Sequence, residues 1–262
     1  MTERKDADFV GSFEKGLRVL RAFDAEHGAM TLSEVAERAG LTRAGARRFL
    51  LTLVELGYAT SDGKHFSLTP RVLELGFAYL RALGLPQIVV PYLRRVSEEL
   101  GESSSVAVLD DLHVVYVARE QTRRIMTTEL GVGARLPACY TSMGRVLLAH
   151  LPPPERDERL ARAELVAHTR HSLTSRAKLR AALAEARERG HCLVDQELEE
   201  GLRSLAVPLR DRQGRALAAM NVSAQANRVT VEAMRRTFLP ALLRAAADVQ
   251  QVLPLPPRPA GA

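Results

Sequence analysis

Two short helical segments, each ending in a glycine, restrict the possible folds of this chain more than any other feature. The first follows Thr31 and Ser33, either of which can cap a helix, and it ends at Gly40. The second follows Thr42 and ends at Gly57. Two short helices that each end at a glycine and are joined by a turn of about three residues are typical of a helix-turn-helix.

A β-hairpin is predicted directly after these helices, and a further helix is predicted before them. Residues 58–61 and 64–68 read as short strands, and Asp62-Gly63 between them favours the positive φ angles of a tight turn. A hairpin that follows a helix-turn-helix is a wing. Upstream, Ser12 is the expected N-cap of a helix that Gly28 ends.

The second helix of the pair carries its arginines on one side. At about 100° per residue its large apolar residues fall mainly on one face, and its arginines lie on the other beside small residues. Arginine can bond guanine in the major groove or clamp a phosphate, and small neighbours permit close approach. A solvated helix face is the alternative, but the tandem helices and the wing favour DNA. The expected DNA-binding residues are Arg43, Ala44, Gly45, Arg47, Arg48 and, on the wing, Lys64.

The charge signal for DNA binding is local rather than global. The formal net charge is +6, which permits an acidic partner without proving one, and residues 1–85 carry nearly equal numbers of basic and acidic side chains. No acidic residue lies between Glu37 and Glu55, and this window contains the arginines of the second helix. The hydrophobic fraction of 46% is that of an ordinary globular protein.

A domain boundary is predicted near residue 85. A helix that begins at Pro70 is apolar on nearly every side, and Gly84-Leu85-Pro86 interrupts it. The expected fold class is α+β, with a winged helix-turn-helix domain at 9–69, a linker helix at 70–85, an α/β domain at 86–252 and a disordered tail at 253–262.

The second domain shows strand and helix signals in mixed order. About 165 residues are enough to form a core and a small-molecule pocket. The predicted strands are 105–110, 113–119, 124–129, 192–195, 205–210 and 215–223, and the predicted helices are 86–100, 141–151, 154–163, 174–189 and 230–252.

Several protein classes are disfavoured by the sequence. Two cysteines cannot build a disulfide framework, and burial is expected for both, with redox sensing as the alternative. The first residues are charged and no long apolar run is uninterrupted, so a cytoplasmic protein without a membrane span is expected. No dinucleotide, Walker, zincin or nucleophile-elbow motif is complete, and neither a cofactor nor a metal is expected. His168 and His171 are expected at the surface, and residues 197–200 in a solvated loop.

A ligand pocket has better support from the residues. The helix that starts at Thr141 and Ser142 presents free N–H groups and a positive dipole end, which favour a carboxylate. Alternation along residues 216–223 places Asn221 and Ser223 on one face of a strand, where buried polar groups need partners. A bound ligand is one possible partner, and water or neighbouring backbone is the other.

Three stretches resemble the IclR family of bacterial transcriptional regulators. LSEVAERAGLTRAGARRFLLTLVELGYA resembles the winged helix-turn-helix of that family. LPACYTSMGRVLLAHLP and GHCLVDQELEEGLRSLAVPLRDRQGRALAAMNVSA resemble its effector-binding domain. The segments TSMGRVLLA and DQELEEGLRSLAVP are most similar to the sequences of one branch of the family, the Pca and Pob regulators. That branch controls the β-ketoadipate pathway of aromatic-acid catabolism.

The resemblance implies an architecture, partners and site residues. It implies a GAF-like effector domain, a homodimer formed through the N-terminal domain and linker helix, sometimes paired into a tetramer, and a double-stranded DNA operator. The implied effector is an aromatic acid or a β-ketoadipate-like diacid. The effector contacts that match the family motifs are Ser142, Met143, Asp195, Ser204, Asn221 and Ser223, with Ile125 and Leu136 as apolar walls.

Two departures from the family pattern limit what can be transferred. Ser204 and Asn221 stand where relatives that sense small oxo-acids commonly have Cys and Ser, which disfavours a glyoxylate-like ligand. Residues 44–46 replace a commoner Ser-Thr-Val, so the operator sequence cannot be copied from a relative.

Two other functions are compatible with a DNA-binding N-terminal domain. An α/β enzyme with a fused DNA-binding domain would need a nucleophile or a metal set, and the sequence offers neither. A nucleoid-type structural protein would not need a large α/β domain with polar strand positions. A regulator that is not an enzyme is therefore the expected function.

Overall fold

The computed structural model describes residues 9–24, 26–76, 84–122, 130–211 and 213–253. The chain divides into two compact units, Met1–Ala82 and Leu83–Ala262. Each unit has its own sheet. Among the described residues, no helix is long and apolar enough to cross a membrane.

The helices of the first unit are fixed by their capping residues. They are α1 (Gly11–Arg21), α2 (Leu32–Arg38) and α3 (Arg43–Glu55). Thr31 forms a capping box with Glu34 at the start of α2, and Thr42 accepts the N–H of Gly45 at the start of α3. The expectation that Ser12 caps α1 and that Gly28 ends it is wrong, because α1 begins at Gly11 after Val10, without a side-chain cap, and ends at Arg21.

A small antiparallel sheet completes the first unit. Its strands are β1 (Ala29–Thr31), β2 (Ala59–Ser61) and β3 (His65–Leu68), in the order β1-β3-β2. Gly63 supplies the positive φ of +95° at the turn between β2 and β3. This hairpin is the predicted wing, and β1 adds a third strand that the sequence did not indicate.

The segment after the wing is only partly described. Pro70–Val72 forms a 3-10 turn and residues 73–76 are helical. The rest of the predicted linker helix, from residue 77 to residue 83, lies outside the described residues. Gly84 has a φ of 60° and precedes helix α4 (Leu85–Leu100).

The second unit is built on one antiparallel sheet. Its strands are β4 (Ser103–Asp110), β5 (His113–Glu120), β6 (Arg135–Pro137), β7 (Cys192–Asp195), β8 (Leu202–Arg210) and β9 (Ala216–Gln225). Their order is β6-β5-β4-β9-β8-β7. The predicted strand 124–129 lies outside the described residues, and β6 was not predicted.

Helices cover both faces of this sheet. Helix α5 (Ser142–His150) packs on one face beneath α7 (Arg176–Arg189), and α6 (Pro153–Arg162) contributes Leu160 to the same core. The last helical stretch consists of α8 (Val231–Ala233), a π-helical turn (Met234–Phe238) and α9 (Leu239–Val252). Helices α4 and α9 pack together on the opposite face. Helices on both faces of one sheet confirm the predicted mixed domain.

Candidate functional site

The exposed side of α3 is the candidate DNA-binding face. Arg43, Ala44, Arg47 and Arg48 are exposed, whereas Gly45 is half-buried. Ala46 and Leu50 are fully buried on the other side of the helix. The burial pattern therefore agrees with the predicted register of α3.

The arginines of α3 are available for an external partner. Within the described residues, the guanidinium groups of Arg43, Arg47 and Arg48 form no hydrogen bond or ion pair. Arg38, which precedes α3, is held differently, because its Nε donates to the carbonyl of Ala22 at 2.8 Å and its Nη2 to Asp24. The three arginines of α3 are therefore suited to contact phosphates and bases. Arg38 instead connects the end of α2 to residues 22–24.

The wing carries an exposed lysine on an ordered turn. The Asp62 carboxylate accepts the backbone N–H of His65 at 2.7 Å and of Lys64 at 2.8 Å. These hydrogen bonds lower the pKa of Asp62 to about 2, because they favour the charged carboxylate. The Lys64 side chain itself is exposed at the tip of the wing.

A cavity in the second unit lies between the sheet and the start of α5. We call it the α5 cavity. Its own volume is about 60 Å³, and a wider recess of about 560 Å³ shares Arg119, Glu199, Leu202 and Ser223 with it. The α5 cavity is lined by Tyr116, Arg119, Leu130, Leu136, Tyr140, Thr141, Val194, Glu197, Leu198, Glu199, Leu202, Ser204, Asn221 and Ser223.

Polar residues lie in two rows on the face of the sheet that borders the α5 cavity. Ser105 on β4 pairs in register with Arg119 on β5 and with Asn221 on β9. In the next row, Ser223 pairs in register with Ser103 and with Ser204. Adjacent strands place these side chains on one face.

Four buried polar atoms at this site or beside it have no hydrogen-bond partner among the described residues. Nε of Arg119, Oη of Tyr140 and Oδ1 of Asn221 belong to residues that line the α5 cavity, and Oγ of Ser142 comes directly after the lining residue Thr141. The amide nitrogen of Asn221 donates to Ser223 Oγ at 3.1 Å, so only one side of that amide is satisfied. Buried polar atoms without partners are costly, and a polar ligand would satisfy them.

A close backbone contact fixes the start of α5 over the sheet. A Cβ atom on Gly144 would lie 2.2 Å from the carbonyl oxygen of Ala138. Thr141 Oγ1 accepts the N–H of Gly144 at 3.1 Å and caps the helix. Gly144 therefore allows the helix to approach the preceding 3-10 turn more closely than any other residue would.

Glu197 is not in a solvated loop, contrary to the sequence-based expectation. Its side chain is about 10% exposed and faces Arg145, whose side chain is about 3% exposed. Nη1 of Arg145 donates to Oε1 of Glu197 at 2.6 Å, and Nε donates to the carbonyl of Cys139 at 2.8 Å. The acidic run 197–200 predicted a solvated loop. Arg145, the partner of Glu197, lies 52 residues away, so no local sequence signal indicated the ion pair.

The expected effector residues fall into different groups. Leu136, Ser204, Asn221 and Ser223 line the α5 cavity, and buried Ser142 follows the lining residue Thr141. Met143 is fully buried in the hydrophobic core instead. Ile125 lies outside the described residues.

Asp195 lies outside the lining of the α5 cavity. It pairs in register with Arg203, whereas its neighbour Val194 pairs with Ser204 and lines the cavity. Because successive side chains alternate across a strand, Asp195 points to the other face of the sheet. There it accepts two hydrogen bonds from Nε and Nη2 of Arg203, each of 2.9 Å.

No sequence pattern indicated that Arg119 lines the α5 cavity. The register between β4 and β5 shifts at Val106 and Ala107, so that Ala107 opposes Tyr116 while Val106 opposes Ala118. This bulge puts Tyr116 and Arg119 on the same face although they are three residues apart. Simple alternation would have placed them on opposite faces.

The cysteines are buried, and His168 packs against an aromatic ring. Cys139 and Cys192 are both buried, as predicted, and burial raises the pKa of Cys192 to about 11. The His168 ring packs edge-on against Tyr140, with ring centroids 4.7 Å apart. Within the described part of the chain, no group of three or more His, Cys, Asp or Glu side chains could hold a metal ion.

Comparison with known proteins gives two family matches. Residues 12–63 match the IclR helix-turn-helix domain, and residues 77–251 match the C-terminal domain of the bacterial transcriptional regulator IclR. The chain is 45% identical over 245 residues to the Pca regulon regulatory protein of Pseudomonas putida, covering 93% of this chain and 84% of that protein.

Two solved structures are similar over nearly the whole chain. One is a putative transcriptional regulator from Rhodococcus sp. RHA1, with a TM-score of 0.84, 48% identity, and coverage of 94% of this chain and 98% of that one. The other is an IclR homologue from Microbacterium hydrocarbonoxydans complexed with 4-hydroxybenzoate, with a TM-score of 0.82, 28% identity, and coverage of 92% and 98%.

Proposed function

The chain belongs to the IclR family of bacterial transcriptional regulators, and we propose that a small aromatic carboxylic acid in the α5 cavity modulates its binding to a DNA operator. One observation carries this proposal. Buried polar atoms without partners, on the lining residues Arg119, Tyr140 and Asn221 and on Ser142 next to the lining residue Thr141, lie at one cavity. The similarity to a Pca regulon regulator and to a structure complexed with 4-hydroxybenzoate supports the choice of ligand.

The DNA operator is read by α3 and approached by the wing. Arg47 is exposed on the outer face of α3, and we assign it to a base edge in the major groove. Arg43 and Arg48 contact phosphates or bases beside it, while Ala44 and Gly45 permit close approach. Lys64 contacts a phosphate from the wing. The operator lies in the bacterial cytoplasm, which is where the protein acts.

The effector is held by the polar rows of the sheet and the start of α5. Ser204, Asn221 and Ser223 form the polar wall, Leu136 is an apolar wall, and Ser142 contributes its unpartnered hydroxyl. Met143 and Asp195 do not line the cavity and support it indirectly. Met143 packs in the core beneath the site, and Asp195 fixes Arg203 on the opposite face.

Self-association proceeds through α1 and Phe9, which precedes it. Phe9, Phe13 and Leu17 are spaced four residues apart and are 59%, 69% and 43% exposed. Such a row of large apolar side chains fits a second copy of the same surface in a homodimer. Sedimentation of wild type and of Phe13→Asp tests this, with a monomeric variant as the expected result. Sedimentation of the wild type also reports whether dimers pair into tetramers.

An enzymatic function has no support. Both family matches and the similar proteins are regulators. The alternative of an α/β enzyme with a fused DNA-binding domain is therefore set aside.

A thermal-shift screen followed by calorimetry tests the proposed effector site. The screen uses aromatic acids and dicarboxylic acids, since a ligand at 100 times its Kd stabilises a protein by about 2.7 kcal/mol. Calorimetry then compares wild type with Ser204→Leu, which fills the α5 cavity, and with Ser33→Leu, an exposed serine in the first unit. We expect Ser204→Leu to lose ligand affinity and Ser33→Leu to retain it. Unchanged affinity in Ser204→Leu contradicts the site.

A further inference from the structure

The α5 cavity contains one cationic side chain that lacks a counter-ion. Nη1 of Arg119 donates to Ser105 Oγ at 3.2 Å, and its buried Nε has no partner. Within the described residues, no carboxylate lies within ion-pair distance of Arg119. Two other buried arginines of this unit, Arg145 and Arg203, are both paired with a carboxylate through two hydrogen bonds.

The other charges of the α5 cavity do not compensate Arg119. Glu197 lines the cavity, but its carboxylate is already bound to Arg145. Glu199 also belongs to the lining, and its side chain is exposed to solvent at the rim. Among the residues that the structure describes, the interior of the cavity is therefore left with one positive charge that no carboxylate compensates.

A half-buried guanidinium without a counter-ion is an unfavourable arrangement. Burial lowers the pKa of Arg119, which reflects the cost of removing the charge from water. A carboxylate would offset that cost, because its two oxygens match the Nε and Nη edge of a guanidinium. The start of α5 is a weaker anion site than the sequence suggested, because Thr141 Oγ1 already occupies the N–H of Gly144.

We infer that Arg119 anchors the carboxylate of the effector and makes the α5 cavity selective for organic anions over neutral analogues. This inference rests on the proposed function and places the carboxylate at the sheet wall rather than at the start of α5. The unpartnered oxygen atoms of Asn221 and Ser142 are then available to a second polar group of the ligand, such as a ring hydroxyl.

Calorimetry with an acid and its neutral amide tests the inference on the full chain. The probes are 4-hydroxybenzoate and 4-hydroxybenzamide, which differ in charge and little in shape. Because a hydrogen-bonded charge is worth about tenfold to a hundredfold in affinity, Arg119→Met should lose that factor for the acid and keep its affinity for the amide. Arg119→Lys retains the positive charge but not the planar guanidinium, so its loss of affinity for the acid should be intermediate.

A neighbouring arginine provides the matched control. Arg94 on α4 lies 3.8 Å from Glu120, on the sheet face opposite the α5 cavity. Arg94→Met removes the same charge and should bind both probes as wild type does. Melting temperatures of all variants establish that they are folded.

The outcomes separate this inference from the proposed function. If Ser204→Leu loses affinity for the acid while Arg119→Met binds it as wild type does, the acid binds in the α5 cavity and Arg119 does not anchor its carboxylate. Equal loss of acid and amide in Arg119→Met assigns the residue to packing and overturns the inference. A wild type that binds neither probe contradicts the proposed aromatic effector itself.

Discussion

The guanidinium of Arg145 and the carboxylate of Glu197 face each other beneath the α5 cavity, joined by two parallel hydrogen bonds. Nη1–Oε1 is 2.6 Å, and Oε2 of Glu197 also accepts the N–H of Leu173 at 3.1 Å. The pair connects α5 to the loop after β7, 52 residues away in the sequence. Because Glu197 also lines the cavity, this ion pair holds part of its wall in place.

Breaking this pair on one side should strongly destabilise the second unit. Glu197→Gln leaves the Arg145 guanidinium buried without a counter-charge, and such a change costs about 3–5 kcal/mol. Urea unfolding followed by far-UV circular dichroism measures the effect. The exposed pair Arg162–Asp111 is the control, and Arg162→Met should cost at most about 1 kcal/mol. Equal costs for the two variants would show that the buried pair has no special role.

The buried position of Glu197 could not be predicted from the sequence. An acidic run after a strand is typical of a solvated loop, and only the fold brings Arg145 to it. Gln196 adopts a φ of 60°, an uncommon angle for a residue other than glycine, and turns the chain there. Neither the turn nor the distant partner has a local sequence signal.

Local signals were sufficient where structure is locally determined. Thr31 and Thr42 each cap the helix that the sequence placed after them, and Thr230 caps the helical stretch predicted at 230–252. The polar face of Asn221 and Ser223 followed from alternation alone. The strands β1 and β6 were missed because each is three residues long and is defined by its partner strand. Arg119 was missed because the bulge in β5 reverses the expected alternation.

Gly144→Ala should destabilise the second unit through a steric clash. The added methyl group would lie 2.2 Å from the carbonyl oxygen of Ala138, and because this is backbone, α5 must shift. Overpacking of this kind costs about 1–3 kcal/mol. The same substitution at Gly131, which has open space around it, is the control. Thermal unfolding measures both, and a Gly144→Ala variant as stable as Gly131→Ala would refute the close contact.

The wing turn should keep its charged carboxylate down to low pH. The N–H groups of His65 and Lys64 hold the pKa of Asp62 at about 2, below the ordinary value of 3.8. A lowered pKa in the folded state means that this contribution to stability is present above the unfolded value and is lost as the pH falls through about 2. Carbon-13 NMR of the Asp62 carboxyl group measures its midpoint. A midpoint near 3.8 would show that these hydrogen bonds are absent in solution.

Two basic residues of the first unit should affect DNA binding differently. Arg47→Ala should weaken operator binding by about 1–3 kcal/mol and relax sequence preference, as expected for a base-reading arginine. Lys64→Ala should weaken binding to operator and random DNA alike, and lower the salt dependence by about one unit, since it removes one phosphate contact. Fluorescence anisotropy over a salt series measures both effects.

Exposed Arg180 in the second unit controls for the change in net charge. Arg180→Ala should leave the operator affinity and its salt dependence near those of wild type. Wild-type operator binding by Arg47→Ala, with the oligomeric state unchanged, would mean that the register assigned to α3 is wrong.

Ligand and operator should influence each other by one common factor. If the acid changes operator affinity, thermodynamic linkage requires that operator change the affinity for the acid equally, and such couplings are typically about 5-fold to 150-fold in either direction. Calorimetry with 4-hydroxybenzoate, with and without operator, gives one side of the cycle, and anisotropy with and without the acid gives the other. Ser204→Leu should reduce the effect of the acid on operator binding while leaving operator affinity alone unchanged. An acid that binds wild type equally well with and without operator occupies the protein without regulating its operator affinity.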